Sequence, residues 1–293
     1  MKKIVVFGSV NIDHVYLVDH FVSPGETVSS TELEKYWGGK GLNQAIAVSK
    51  AGGRSCLAAK VNQSEYDELC RLCKESNLDF SLVMPSEART GHAIIQVDKS
   101  GQNGIFVFPG ANGTVSPDDT AQVLGSMQEG DILLLQNEIN SVPEIIERAH
   151  RRCLTVALNP SPISGDMANW PLKYVDIMIF NETEGLALTG EEMPKKILDT
   201  LESRYPNCGL VLTLGEHGSV FRGGGRTIVQ TAFPVPVVDT TGAGDTFTGY
   251  FLSSVLEGKG PGDALRIASR AASIAVSRKG AAASIPTIGE VKS

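Results

Sequence analysis

The stretch Asp239-Thr240-Thr241-Gly242-Ala243-Gly244-Asp245-Thr246-Phe247 carries residue types that suit chemistry on an anion. The small residues Gly242, Ala243 and Gly244 leave backbone N–H groups uncovered where a helix begins. The positive end of a helix favours an anion such as a phosphate. Asp245 stands beside that turn, and a carboxylate there can take the proton of a hydroxyl attacking a transferring phosphoryl group. The same residues also read as an Asp near a helix start after a glycine turn. The stretch alone leaves both readings open.

Other polar groups fall where strands are expected to end. Gly8-Ser9-Val10-Asn11-Ile12-Asp13 follows a β-branched run from Lys3 to Phe7. Ligands of open α/β sheets bind outside the carboxyl ends of strands, so Asn11 and Asp13 are placed to meet one. Local Asx bonding in a Gly-Ser turn is the plainer alternative. Trp37-Gly38-Gly39-Lys40-Gly41-Leu42-Asn43-Gln44-Ala45 supplies glycines for close backbone approach, a cation in Lys40 and a two-way hydrogen bonder in Asn43. It is not a Walker A loop, because Glu34 and Gly41 stand where that pattern needs Gly and Ser/Thr. Gln136-Asn137-Glu138, Asn159-Pro160-Ser161-Pro162, Asn181-Glu182-Thr183-Glu184 and Thr213-Leu214-Gly215-Glu216-His217-Gly218 follow further apolar runs. Each alone passes for a loop or a helix cap; together they suggest one functional edge.

The elements that must position these groups can be read from periodicity. Val235, Val237 and Val238, broken by Pro236, predict an extended strand before the glycine turn. Phe247, Tyr250, Phe251, Leu252, Val255 and Leu256 recur at helical spacing after it. Between them, Asp245 falls in a helix's first turn. Strand and helix alternate from Ile132 onward, which indicates a parallel sheet with helices on both faces. Two segments break that rhythm. Residues 14–37, with Val22, Val28 and Leu33 as strand residues, and residues 91–108 read as hairpins that form a β lid over the carboxyl edge. The whole of 1–293 reads as one domain with that lid inserted.

Composition narrows the partners. Net charge is −7 with no basic cluster, which argues against nucleic acid or an anionic membrane surface. No run approaches transmembrane length. Five scattered cysteines and no export signal lead us to expect a reduced, cytoplasmic protein. Cys70-x-x-Cys73 has metal or redox spacing, yet no second pair or nearby His completes a site. A dinucleotide oxidoreductase is disfavoured too, because Gly242-x-Gly244-x-x-Phe247 lacks its last glycine.

The two glycine-rich stretches, Gly38 to Ala45 and Asp239 to Phe247, resemble the two signatures of the ribokinase (PfkB) family of carbohydrate kinases. The polar strand ends match in the family's order, as does the ending Ala275-Val276-Ser277-Arg278-Lys279-Gly280-Ala281. The resemblance implies a ribokinase-like doubly wound α/β sheet with a small β lid that pairs with another subunit's lid in a homodimer. It implies ATP-dependent phosphorylation of a sugar hydroxyl. Matching positions imply that Asn11, Asp13, Gly39, Lys40, Gly41, Asn43 and Glu138 hold the sugar. Asn181, Thr213, Gly215, Gly218, Gly244 and Ser269 would lie along the nucleotide, and Glu184 would act on Mg²⁺ through water. Asp245 would be the base and the Gly242, Ala243 and Gly244 amides the anion hole. Asp239, Thr241, Ala275, Arg278, Gly280 and Ser284 match the family's K⁺ site, much of it backbone carbonyl.

The sequence departs from the family at a few places. Tyr250 replaces a Gly or Ala, and we expect it to pack rather than to narrow a pocket. Asn62 replaces the Gly closing the first signature, a turn that Asn can still make. Ser269 is smaller than the family's residue near adenine. His92 in the second hairpin either faces the sugar or lies on the lid surface. Two rivals share the scaffold: the same chemistry on another sugar or a nucleoside, and a non-catalytic sugar or nucleotide sensor. A pure binder has no need of Asp245.

Overall fold

Every side chain of Ile4–Phe7, the first strand β1, is fully buried. Ile4 and Val6 enter one apolar core while Val5 and Phe7 enter a second, so β1 lies inside a sheet covered on both faces. The computed structural model describes residues 2–165 and 167–293. After β1 come β2 (Asn11–Leu17), β3 (Glu32–Gly38), α1 (Lys40–Lys50), β4 (Ser55–Asn62), α2 (Tyr66–Glu75) and β5 (Asp79–Ser86). Then follow β6 (Gly91–Val97), β7 (Asn103–Phe108) and, past a short turn at Gly110–Thr114, α3 (Pro117–Gly125). The alternating part runs β8 (Ile132–Gln136), α4 (Val142–Arg151), β9 (Thr155–Asn159), β10 (Ile177–Asn181), α5 (Glu182–Thr189), α6 (Pro194–Arg204) and β11 (Gly209–Thr213). The chain closes with β12 (Ser219–Gly223), β13 (Arg226–Gln230), α7 (Ala243–Leu256), α8 (Pro261–Val276) and α9 (Ile288–Lys292).

The large sheet has the order β13-β12-β11-β10-β9-β8-β1-β4-β5. Its strands from β5 to β11 are parallel, and β12 and β13 add an antiparallel edge. From β1 the chain winds first toward β4 and β5, then returns to β8 and proceeds the other way. That reversal makes the β1/β8 gap the point where a doubly wound sheet opens a crevice at its carboxyl edge. A second sheet, β3-β2-β6-β7, stands at the same edge. Its base is fixed by Asn11, which pairs with Gly38 on one side and Gly91 on the other.

Buried from Asp245 through Ser254, α7 is a core helix rather than a surface one. It crosses α1 closely: a side chain at Gly249 would collide with Ala47 and the Val48 backbone. Four residues earlier on each helix, the same crossing brings Asp245 beside Asn43 and Gln44. A sequence-level need for glycine thus sets the register of the site.

Some expectations need correction. The Val235–Val238 run is not a strand. Val237 and Val238 are exposed, and Pro234 and Pro236 remove the donors a ladder would need. The segment is held instead by the Val238 and Asp239 N–H groups, which both donate to the Val276 carbonyl. Val22 and Val28 lie in the loop between β2 and β3, so only Leu33 of that trio is in a strand. The β12–β13 hairpin, turning at Gly224 and Gly225, was not foreseen.

Candidate active site

Asp245 is 6 % exposed, in the first turn of α7. Its Oδ1 accepts from Gln44 Nε2 at 2.9 Å and its Oδ2 from Asn43 Nδ2 at 3.2 Å. Gln44 also donates to Asn159 Oδ1 at 2.9 Å and accepts from Gln136 Nε2 at 2.7 Å. Asn159 in turn donates to the Ile179 carbonyl at 3.0 Å. The carboxylate is therefore braced from the ends of β8, β9 and β10 through one buried glutamine. Asn43 Oδ1 is buried with no hydrogen-bond partner among the described residues. A buried acceptor beside Asp245 would be satisfied by a ligand hydroxyl.

Three more ionisable groups share this space. Burial, then the charges of Glu138 and Asp245, push the Asp13 carboxyl up to about 6. Burial alone would lower the Lys40 ammonium, but Asp245, Glu138 and Glu184 together outweigh it and hold it above its usual range. Glu138 Oε2 accepts the Lys40 backbone N–H at 2.9 Å and the Ser9 hydroxyl, whose oxygen accepts the Gly41 N–H at 3.3 Å. Gly38 leaves room for the Asp13 carboxylate, and a side chain at Gly41 would strike the Gly8–Ser9 backbone. So these glycines let the protein's own segments approach one another. On the facing side, Asn11 Oδ1 accepts from Asn112 Nδ2 at 2.8 Å, and Asn112 also brackets both backbone groups of Val10.

The expected sugar residues Asn11, Asp13, Gly39, Lys40, Gly41, Asn43 and Glu138 thus meet Asp245 around one crevice. Ser9, Gln136 and Asn159 lie in the polar strand ends singled out above but had no role of their own there, and neither had Gln44 or Asn112. Gln44 and Gln136 had a signal: a glutamine inside a glycine-rich signature and one at an apolar strand's last position. His92 lies elsewhere. It pairs across the small sheet with Ile12, so it faces away from Asp13, and its ring packs on Phe108 at 5.1 Å and edge-on to His14 at 6.1 Å.

The groups expected along a nucleotide follow on β10 and β11. Asn181 Oδ1 accepts the Glu184 N–H and Glu184 Oε2 accepts the Asn181 N–H, both at 2.9 Å, a reciprocal cap that buries Glu184. Thr213 Oγ1 makes a long 3.4 Å contact to the Phe180 carbonyl. A side chain at Gly215 or Gly244 would meet open space, whereas Gly218 is held against the Gln230 carbonyl. Ser269 is buried with its hydroxyl 3.3 Å from that of Ser219 on β12. Of the glycine-turn amides, Ala243 N–H already donates to the Thr240 carbonyl at 3.3 Å. First-turn N–H groups of a helix have no intrahelical acceptor, and those of Gly244 and Asp245 have no backbone partner among the described residues.

Asp239 ties two loops together. Its Oδ1 accepts the Thr241 N–H at 2.9 Å and its Oδ2 the Gly280 N–H at 2.8 Å. The Ala275 carbonyl accepts the Arg278 N–H, the Arg278 guanidinium goes to Glu290 at 2.6 Å, and the buried Ser284 hydroxyl donates to the Ala281 carbonyl. Among the described residues no cluster of three His, Cys, Asp or Glu could hold a metal. Cys70 and Cys73 are buried on α2, and Cys73 is pushed up to about 12 by burial and its cysteine neighbours, so it stays an inert thiol. No helix of the described residues is long and apolar enough to cross a membrane.

Comparison with known proteins gives this geometry its context. The profile described as "pfkB family carbohydrate kinase" matches residues 1–288. The chain belongs to the PfkB family of carbohydrate kinases. The ribokinase of Staphylococcus aureus strain COL is 33% identical over 301 residues, covering 99% of this chain and 98% of that one. The ribokinase of Haemophilus influenzae is 33% identical over 294 residues, covering 98% and 96%. Among solved structures, ribokinase from Thermotoga maritima superposes with a TM-score of 0.87 at 34% identity, covering 100% and 98%. Arabidopsis thaliana ribokinase, solved with ribose and ATP, gives 0.86 at 30% identity, covering 100% and 98%. The doubly wound architecture and the carbohydrate-kinase class of this PfkB member agree with the reading of its motifs.

Proposed function

We propose that this chain transfers the γ-phosphoryl group of ATP to a hydroxyl of ribose or a closely similar sugar, with Asp245 as general base. The observation that carries the reading is the fixed Asp245 carboxylate, held by Asn43 and Gln44 where the N-terminus of α7 opens on the crevice. Phosphoryl transfer asks a protein mainly for positioning and for charge stabilisation on the equatorial oxygens. The Gly244 and Asp245 amides, with the α7 dipole behind them, meet that charge without reorganising. Asp245 takes the hydroxyl proton as its oxygen attacks phosphorus and the bond to the β-phosphate oxygen breaks. Asp13, Asn11, Lys40, Asn43 and Glu138 match a sugar's mixed donors and acceptors.

The nucleotide would run from this turn along Asn181, Thr213 and Gly215. Glu184 keeps Oε1 beyond its cap, which suits an ion that ATP brings with its waters, and Mg²⁺ there would neutralise phosphate charge. The carbonyl-rich loops 239–241 and 275–284 suit K⁺, whose bound charge would support the N-terminal turn of α7. Asp239 serves there by joining the loops. The small sheet acts as the lid. The outward positions Leu33, Phe106 and Phe108 are exposed apolar residues, which supports a homodimer through that face. Free cysteines fit a cytoplasmic enzyme.

The test is an ATP-coupled assay over pentoses, ketohexoses and nucleosides with Mg²⁺ and K⁺, with the product position read by NMR. Turnover on ribose supports the reading. No turnover on any sugar overturns it, and turnover confined to another acceptor overturns the choice of substrate.

A further inference from the structure

The last two turns of α7 carry a second cavity, far from Asp245. Eight residues separate Asp245 from Ser253, which is roughly 12 Å along a helix. Here α7, α8 and α9 enclose a cleft of about 380 Å³, within the range of small-molecule sites. Its apolar floor is Ala51, Tyr250, Ile267, Ile288 and Val291. Its rim is cationic: Lys259, Arg266, Arg270 and Lys292 line it against one acid, Glu257. In a chain of net charge −7, such a concentration of positive groups around one hollow stands apart.

The partners of those cations sharpen the point. Lys259 is paired with Glu257, and Arg266 lies 3.6 Å from Asp263. Among the described residues no carboxylate is paired with Arg270 or Lys292, which come from different helices. Ser253 also lines the cleft, but it is 2 % exposed and its hydroxyl is packed against Gly53, so it is part of the wall and the recognition falls to Arg270 and Lys292.

We propose that this cleft is a second ligand site that takes a small organic phosphate, its apolar body on Ile267 and Ile288 and its phosphate between Arg270 and Lys292. Arg270 offers a planar fork and Lys292 a point charge, a combination suited to phosphate oxygens. The site also has a route to the cation loops. Tyr250 donates from its hydroxyl to the Pro286 carbonyl at 2.6 Å, and α9 supplies Glu290 to Arg278. An occupant therefore touches the segment that follows residues 275–284 directly.

Binding can be read without turnover, so the proposal does not depend on the kinase reading. Phenyl phosphate is titrated calorimetrically into the full chain, with a non-hydrolysable ATP analogue, Mg²⁺ and ribose present to fill the crevice at Asp245. One equivalent is expected to bind. The Arg270→Glu/Lys292→Glu variant, changed at solvent-accessible positions, is expected to lose at least about tenfold in affinity with its thermal unfolding intact. Inorganic phosphate is expected to bind more weakly than phenyl phosphate, and neutral benzyl alcohol more weakly still. Equal affinity in wild type and variant, or no binding to wild type up to about 10 mM, overturns the site. Inorganic phosphate binding as tightly as phenyl phosphate overturns the role of the apolar floor. If that variant does not fold, Arg270→Gln/Lys292→Gln, which removes both charges without reversing them, is titrated instead. An unchanged affinity there overturns the site.

Discussion

Gln44 donates to Asp245 Oδ1 at 2.9 Å, and through that one hydrogen bond the start of α7 is tied to the ends of β8 and β9. Gln44 spends every polar atom of its side chain on this task. It is a positioning residue: it reaches no solvent and its amide is hydrogen-bonded to the proposed base. Gln44→Leu keeps the volume but strands the Gln136 donor and the Asn159 acceptor, and should cost about 1–3 kcal/mol of stability. Turnover should fall about tenfold or more while sugar KM moves less. Gln44→Glu sets a second carboxylate against Asp245, so the acid limb of the pH–rate profile should move to higher pH. A profile identical to wild type would remove Gln44 from the mechanism.

Asp13 carries a pH signature. Its carboxyl is raised from 3.8 to about 6, so the folded chain keeps a proton that the unfolded chain has already lost. The stability contributed by this group is full below the ordinary value and is lost as pH rises through about 6. Near neutral pH the buried charge then costs on the order of 1–3 kcal/mol. Asp13→Asn should raise Tm at about pH 7.5, and the gain should vanish toward about pH 4. Sugar KM of the wild type should rise as pH falls through about 6, and that dependence should disappear in the variant. A stability gain independent of pH would contradict the assignment.

Tyr250 is fully buried and gives its hydroxyl to the Pro286 carbonyl at 2.6 Å. Burial pushes its phenol well above the usual range. Its task is to bolt α7 to the segment before α9. Tyr250→Phe should cost about 1–3 kcal/mol by orphaning that carbonyl, and Tyr250→Ala about 3–5 kcal/mol by opening a cavity. Sugar KM should stay within about twofold in Tyr250→Phe at a temperature where it is folded. A large KM change would mean the phenol reaches the sugar.

Asp239 links the proposed K⁺ site to acid stability. Burial would raise its carboxyl, but the Thr241 hydroxyl, the Thr241 and Gly280 N–H groups and the Lys279 charge outweigh it and hold it below 3.8. Its contribution to stability is present above that value and is lost as pH falls through the lowered one. K⁺ should raise the rate of the wild type, and Asp239→Ala should abolish most of that activation while leaving rates in salt-free buffer similar. Equal wild-type rates in K⁺, Na⁺ and salt-free buffer would count against the site.

Much of this molecule was legible in its residues. Apolar strands followed by Asn, Asp, Gln or Glu gave away the sheet and its working edge, because a parallel strand buried on both faces tolerates polarity only where it ends. Asp245 could be placed in a first turn from Phe247, Tyr250 and Phe251 alone. The bracing by Gln44, Gln136 and Asn159 was not readable as a network. An amide on a helix or at a strand end looks the same whether it faces water or another amide 92 residues away. Val235, Val237 and Val238 misled for a local reason: β-branched residues signal a strand, yet neighbouring prolines deny the ladder. The Arg270 and Lys292 cleft was invisible because its walls come from helices that meet only in three dimensions.

The account rests on Asp245 as the group that takes the proton, and Asp245→Asn tests it most directly. The amide still accepts from one neighbour and leaves the Gly242–Gly244 turn intact, but it cannot serve as the base. ATP-analogue affinity by calorimetry should stay nearly unchanged, and turnover on ribose should fall by roughly 10²–10⁴. Turnover comparable to wild type, with nucleotide binding intact, would contradict the mechanism.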